Sequence, residues 1–302
     1  MCVDRNMIIP LIVAITSIVN TLQDEEKINL FLFYKGITKR SRKYVENLGF
    51  ETPVDFNWVE IRDTKLEMLA MRSGWSPVIF FRLFLSDLLP EDIQRIVYLD
   101  ADTLVCKPIS YLYNINLNNC IIGAITDPSR PWLGMQRGCV PARMTGIPAN
   151  APYFNSGVMV IDVKHFREKN IGKEALNYAL KYAELLDFPD QDALNVVLHG
   201  HWKSLDPRWN QVSSIYQEHG ILHCQLSVEE LAQLRRDPFI IHYTGALPRP
   251  WIDPSGHPLA SRWKEVFELT NRVGLVFTGR KKNRAFNLLR RLKRALSIIL
   301  RG

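Results

Sequence analysis

The chain has only five cysteines in 302 residues, and no two of them form a Cys-x-x-Cys pair. Cys2, Cys106, Cys120, Cys139 and Cys224 are scattered and odd in number, which argues against a disulfide framework and a cysteine-based zinc cluster and fits a reducing compartment. No apolar run reaches the roughly 20 residues that a membrane-spanning helix needs. The nearest, Met7 to Val19, is too short. Asp4 stands where a signal peptide carries positive charge, and no small-residue cleavage site follows. That run reads as a first buried helix beginning near Pro10, where a proline is tolerated in the opening turn. There is no internal repeat, and neither Asp-Asp nor Gly-Asp occurs anywhere. From Gly279 to Gly302 there is no acidic residue, against nine basic ones.

That last absence governs the charge. The formal net charge is +7, but without residues 279–302 the chain has 29 basic and 31 acidic residues. The body is near neutral, so the pI of 9.1 does not indicate a nucleic-acid binder. A hydrophobic content of 47% is ordinary for a globular protein with a sizeable core.

Strand and helix patterns alternate. Strands are expected at 28–34, 58–61, 96–99, 120–126, 158–162 and 239–243. Helices are expected at 39–48, ending at Gly49, at 78–89, closed by Pro90, and at 171–186, 190–199 and 261–270. This alternation predicts an α/β domain with a mixed, mostly parallel sheet over residues 1–275, followed by a basic tail over 276–302. Only Met1-Cys2-Val3 precede Asp4, so the first strand reads as truncated. Residues 127–152, rich in Pro, Gly and Arg, read as a long functional loop.

The most informative stretch is Ile96-Val97-Tyr98-Leu99-Asp100-Ala101-Asp102-Thr103. A buried strand stops at two carboxylates one residue apart, and ligands of α/β sheets gather beyond such strand ends. The pair is placed to hold a divalent cation, which can in turn hold a diphosphate. Asp-x-Asp resembles the metal motif of nucleotide-sugar glycosyltransferases. With Thr103 the string also resembles the Asp-x-Asp-x-Thr motif of haloacid-dehalogenase-type phosphatases, the threonine standing one position early, with Asp100 as nucleophile. The second chemistry needs a further acidic cluster downstream, usually Asp-Asp or Gly-Asp, and the chain has neither.

Six motifs in register favour the first. They are Cys2-Val3-Asp4-Arg5-Asn6, Phe80-Phe81-Arg82-Leu83, Tyr98-Leu99-Asp100-Ala101-Asp102, Phe154-Asn155-Ser156-Gly157-Val158, Asp190-Gln191-Asp192-Ala193-Leu194-Asn195, and His242-Tyr243-Thr244-Gly245 followed by Arg249-Pro250-Trp251. Together they resemble glycosyltransferase family 8, the retaining hexosyltransferases that include bacterial lipopolysaccharide galactosyl- and glucosyltransferases. The resemblance spans residue 1 to about 270. It implies a GT-A, Rossmann-like nucleotide-diphospho-sugar transferase fold.

The resemblance also implies roles. Asp100, Asp102 and His242 would ligate Mn²⁺, with Mg²⁺ admissible, and the donor's phosphates would complete the shell. Asp4 and Asn6 would hold the uracil and ribose edge of a UDP-hexose. Arg82, Ala101 and Asn155 would line the donor site, and Gly245 and Arg249 would close over its phosphates. The family usually has Lys at this last place, one residue nearer. Asp190 would bind sugar hydroxyls and Gln191 would lie against the anomeric carbon. Locally, Asp190 and Gln191 read equally well as a helix cap. Galactose and glucose donors, and double-displacement and front-face routes, all stay open. His199, His201, His219, His223 and Cys224 have metal-like spacings but no carboxylate partners, and read as structural.

In the tail, Leu288, Leu289, Leu292, Ala295, Leu296, Ile299 and Leu300 share one side of a helical wheel, and Arg290, Arg291, Lys293 and Arg294 the other. This is the pattern of a helix lying in an anionic membrane interface, the alternative being a helix docked on the body. No aromatic interleaving supports nucleic-acid stacking. The expected protein is a cytoplasmic enzyme held peripherally at the inner face of the membrane, with a saccharide or lipid-linked glycan acceptor. A non-catalytic nucleotide-sugar-binding protein is the competing class.

Overall fold

The computed structural model describes residues 1–48, 50, 54–135, 146–245 and 247–277. The basic tail from residue 278 onward, the helix stop expected at Gly49 and the middle of the 127–152 loop therefore lie outside the described residues. Among the described residues ten strands run in chain order: β1 (Cys2–Asp4), β2 (Ile28–Lys35), β3 (Val54–Glu60), β4 (Arg95–Leu99), β5 (Thr103–Val105), β6 (Ile122–Thr126), β7 (Phe154–Asp162), β8 (Trp202–Ser204), β9 (Gln211–Val212) and β10 (Ile240–His242). They form three sheets, ordered β1-β2-β3, β4-β7-β6-β8 and β5-β10-β9. The first is parallel throughout, and the other two mix parallel and antiparallel pairs.

The apolar stretch ahead of β2 forms a helix over Ile8–Val19, starting slightly before the expected Pro10, with all of its residues buried. A helix that is apolar all round belongs inside. Its two hydroxyl residues turn inward on their own backbone. Thr16 Oγ1 donates to Ile12 O at 2.9 Å and Ser17 Oγ to Ala14 O at 2.7 Å. Ser17 Oγ also accepts the Val105 N–H at 2.9 Å, which ties the helix to β5.

β4 and β7 show why the sheet centre reads as continuous apolar sequence. Tyr98, Met159 and Ile161 pack into one core with Phe80, Phe81 and Leu194, whereas Leu99, Val158 and Val160 pack into another with Ile8, Leu11 and Leu32. Successive side chains point to opposite faces, and both faces are covered. Each fully buried Leu, Ile or Phe contributes about 1.5–3 kcal/mol.

The helix expected at 78–89 is instead a 3-10 segment over Pro77–Phe84 that passes into a short α-helix over Leu85–Leu88. Ser76 caps it, its hydroxyl accepting the Val78 N–H. The Ile79 carbonyl, which an α-helix would give to the Leu83 N–H, accepts Arg82 Nε at 3.2 Å. The two legs of the long loop are pinned together: Leu133 N–H donates to Ala151 O at 2.8 Å and Tyr153 N–H to Pro131 O at 2.9 Å. The late helix covers Ala260–Phe277, longer than expected. No helix among the described residues is long and apolar enough to cross a membrane.

Candidate active site

Two strand pairings assemble the site. β4 ends beside β7, where the Asp100 N–H donates to Gly157 O at 2.8 Å. β5 then runs antiparallel to β10 with Thr103 opposite His242, and the Tyr243 N–H donates to Asp102 O at 2.9 Å. A residue about 140 positions downstream is thereby set against the Asp-x-Asp turn. Asp100, Asp102 and His242 bring one ligand atom each within 4.8 Å of one another, and no other such group of three is found among the described residues. His242 Nε2 lies 3.2 Å from Asp102 Oδ1 and 3.7 Å from Asp100 Oδ2.

The other Asp100 oxygen is already engaged. Oδ1 accepts from Tyr98 Oη at 2.7 Å and from Arg82 Nη2 at 2.8 Å. Arg82 is buried, and its remaining donors reach Ser156 O at 2.9 Å, Ser156 Oγ at 2.7 Å and Asp190 Oδ2 at 3.0 Å. Burial alone would favour a neutral guanidine, but Asp100 foremost, with Asp190, holds it charged. Arg82 thus braces two carboxylates in the cleft that it lines.

Asp190 and Asp192 both sit in the first turn of one helix. The N-cap of helix Pro189–Val197 is Phe188, which makes no side-chain cap hydrogen bond. Asp192 Oδ2 accepts the Asp187 and Phe188 N–H groups at 2.9 and 3.1 Å, and Asp190 meets Arg82 while also accepting from its own and the Gln191 backbone N–H. Asp192 is fully buried, so its pKa rises to about 6, although the Tyr153 hydroxyl donates to it at 2.5 Å. Gln191 is held at both ends: Oε1 accepts the Ser156 N–H at 3.0 Å and Nε2 donates to Tyr153 Oη at 3.1 Å. Burial also raises the Asp190 pKa, with Arg82 opposing.

All the residues singled out from the sequence line one cleft of about 1210 Å³: Asp4, Asn6, Arg82, Asp100, Ala101, Asp102, Asn155, Asp190, Gln191, His242, Gly245 and Arg249. Asp4 orders its own turn, accepting the Asn6 N–H at 2.8 Å. Gly245 has φ +89°, a left-handed conformation that suits glycine, and Arg249 reaches the cleft despite the longer spacing. His219, read as structural, also lines the cleft, whereas His199 and His201 do not. Trp75, Asp127, Phe188 and Asn210 are missed by sequence reasoning. The first three line the cleft, and Asn210 lies behind His242, with its Oδ1 2.9 Å from His242 Nδ1. Nothing in the local sequence marks Asn210.

The residues fit a divalent cation. Two carboxylates and one imidazole make a hard, mixed donor set suited to Mn²⁺ or Mg²⁺. A Cβ at Gly157 would lie 2.2 Å from His242 Cε1 and 2.8 Å from Asp100 Oδ2, so the cradle depends on that glycine. Burial pushes the Asp102 carboxyl up, but His242 above all, then Arg249, bring it below the usual range. His242 is raised in turn by Asp102, against its own burial. The phosphatase alternative is not favoured. Asp100 Oδ1, a nucleophilic oxygen in that chemistry, is bonded to Tyr98 and Arg82.

Comparison with known proteins gives a consistent answer. General stress protein A of Bacillus subtilis (strain 168) is 27% identical over 280 residues, covering 90% of this chain and 94% of that protein. A lipopolysaccharide 1,2-glucosyltransferase of Escherichia coli (strain K12) is 29% identical over 225 residues, covering 74% of this chain and 64% of that one. Among solved structures, the galactosyltransferase LgtC with donor and acceptor sugar analogues superposes with a TM-score of 0.71 at 23% identity, covering 88% of this chain and 94% of that chain. The bifunctional glycosyltransferase WbbM superposes with a TM-score of 0.75 at 19% identity, covering 91% of this chain and 50% of that chain. These likenesses show a GT-A fold. A family profile described as Glycosyl transferase family 8 matches residues 1–254, so the chain belongs to glycosyl transferase family 8 and is a glycosyltransferase.

Proposed function

We propose that this enzyme transfers a hexose, galactose or glucose, from a UDP-sugar to a saccharide acceptor with retention of configuration, in the presence of Mn²⁺ or Mg²⁺. The acceptor class is a lipopolysaccharide or another cell-surface glycan precursor, a reading supported by the Escherichia coli relative. The observation that carries the proposal is the meeting of Asp100, Asp102 and His242 at the head of a cleft whose floor is Arg82, Asp190 and Gln191.

The cleft is lined by Asp4, Asp100, Asp102, Asp127, Asp187 and Asp190 against Arg82, Arg130 and Arg249. A diphosphate entering it meets excess negative charge. A cation held by Asp100, Asp102 and His242 would offset that charge and act as a Lewis acid towards the departing UDP. The other roles fall to the chain's own residues. Asp190, fixed by Arg82, accepts hydroxyl hydrogens of the sugar. Gln191, clamped between Ser156 and Tyr153, presents its amide to the anomeric face. The bond from the anomeric carbon to the β-phosphate oxygen breaks, and the acceptor oxygen attacks from the same side. The acceptor's proton passes to the departing phosphate oxygen. This front-face route needs no protein nucleophile, and a glutamine amide is a poor one.

A panel of UDP-sugars incubated with Mn²⁺, with UDP release read by mass spectrometry, tests the donor. Proton NMR of the new linkage tests retention, and an inverted product contradicts the proposal. Residues 279–302 are proposed to hold the enzyme at an anionic membrane surface, where each basic residue contributes about 1 kcal/mol. Deleting them should abolish co-sedimentation with anionic vesicles and spare transfer to soluble acceptors. Unchanged vesicle binding contradicts that role.

A further inference from the structure

We infer that Asn210 is a positioning residue of the metal centre. It holds the His242 imidazole with its proton on Nδ1, which leaves Nε2 to face the cation between Asp100 and Asp102. The inference rests on the metal-dependent reading proposed above.

The argument follows a chain of hydrogen bonds whose direction is fixed at both ends. The backbone N–H of Gly157 can only donate, and it lies 3.0 Å from a side-chain atom of Asn155, which is therefore Oδ1. The other Asn155 amide atom faces Asp127 Oδ2 at 3.3 Å; a carboxylate accepts, so that atom is Nδ2. The two ends agree. Asn155 Oδ1 has a second neighbour, an amide atom of Asn210 at 2.9 Å, which must be a donor and is Nδ2. The remaining Asn210 atom is then Oδ1, an acceptor, and it lies 2.9 Å from His242 Nδ1. That nitrogen must carry hydrogen. The lone pair of the neutral ring is left on Nε2, the nitrogen 3.2 Å from Asp102 and 3.7 Å from Asp100. A ligating histidine needs this tautomer, and the partner of its other nitrogen sets it.

Asn210 is well placed for this because its backbone is fixed independently of its side chain. It ends the 3-10 turn Pro207–Asn210, which Asp206 caps, and it directly precedes β9. Val212 of β9 lies beside His242 in parallel register. Asn210 and His242 are each only 2% exposed, so water is a poor substitute for the amide oxygen.

The test compares Asn210→Leu, which removes the acceptor, with Asn210→Asp, whose carboxyl, protonated, keeps both an acceptor oxygen towards Nδ1 and a donor towards Asn155 Oδ1. Mn²⁺ is titrated into each protein with UDP, and free Mn²⁺ is read by electron paramagnetic resonance against UDP alone. Asn210→Leu should lose affinity by about tenfold or more, while Asn210→Asp stays within about threefold of wild type. In wild type with Mg²⁺ and UDP, ring ¹⁵N NMR should show the His242 proton on Nδ1. This last measurement decides the matter even if the leucine variant does not fold. A proton on Nε2 overturns the assignment. So does wild-type affinity in folded Asn210→Leu, or an Asn210→Asp loss as large as that of leucine. A wild-type protein that binds no Mn²⁺ in the presence of UDP instead defeats the proposed function, and this inference falls with it.

Discussion

At Gly157 a Cβ would sit 2.2 Å from the His242 ring, far inside van der Waals contact. Both groups are buried among fixed neighbours, so neither can give way cheaply. Gly157→Ala should therefore cost about 1–3 kcal/mol of stability as overpacking and weaken Mn²⁺-dependent UDP binding by about tenfold or more. Thermal unfolding and a UDP titration with Mn²⁺ check the two effects, and unchanged binding would contradict the cradle. In the proposed function Asp190 and Gln191 act on the sugar rather than on the nucleotide. Asp190→Ala and Gln191→Ala should leave UDP affinity within about threefold of wild type and lower kcat by about tenfold or more. Loss of UDP affinity equal to the loss of turnover would place these residues on the nucleotide instead. Most of the candidate site was legible at this scale. Asp100 and Asp102 close an apolar run, which is local information, whereas His242 was read from its place before Gly245 and Arg249-Pro250-Trp251. Asn210 and Tyr153 were not legible, because their importance lies in partners dozens of residues away, Asn155 and His242 for the first and Asp192 for the second.

Among the elements, most strands and long helices follow hydrophobic period and were readable to within a few residues, but the Ala260–Phe277 helix outruns its expected end and helices Thr64–Ser73 and Val228–Arg236 were not read. Other departures have physical causes. The 3-10 run Pro77–Phe84 arises where Arg82 abandons helical geometry to reach Ser156 and Asp100. The short β5 and β9 are too brief for any period to show, yet they place His242. Another pairing fixes the segment that follows. His257 Nε2 donates to Ser213 Oγ at 2.9 Å, and His257 Nδ1 accepts the Leu259 N–H at 3.0 Å, so the neutral ring bridges the stretch after Gly245 to the end of β9. Burial lowers the His257 pKa to about 4 from an ordinary value of 6.5. The sign follows from linkage. The folded state binds this proton less readily than the unfolded state, so the contribution is complete above about pH 6.5 and is lost as pH falls through about 4. It amounts to at most about 3 kcal/mol. Urea unfolding of wild type and His257→Phe at about pH 7 and about pH 4.5 should show wild type losing more stability on acidification than the variant. Equal losses would contradict the assignment.

At the scale of the whole molecule, two cores flank the β4–β7 pair, and their strand ends open into one cleft with more aspartates than arginines. The fold class was evident from the alternation of elements, and the antiparallel pairings of β7 and β10 make it a mixed one. On the function proposed above, a cation held by Asp100, Asp102 and His242 would offset the cleft's excess negative charge and let the diphosphate of UDP enter. Calorimetric titration of UDP with and without Mn²⁺ into wild type, Asp100→Asn and Asp102→Asn tests this most directly. Tight UDP binding should require Mn²⁺ in wild type and be lost in both variants. UDP binding that ignores Mn²⁺ in wild type, or persists unchanged in both variants, would contradict it.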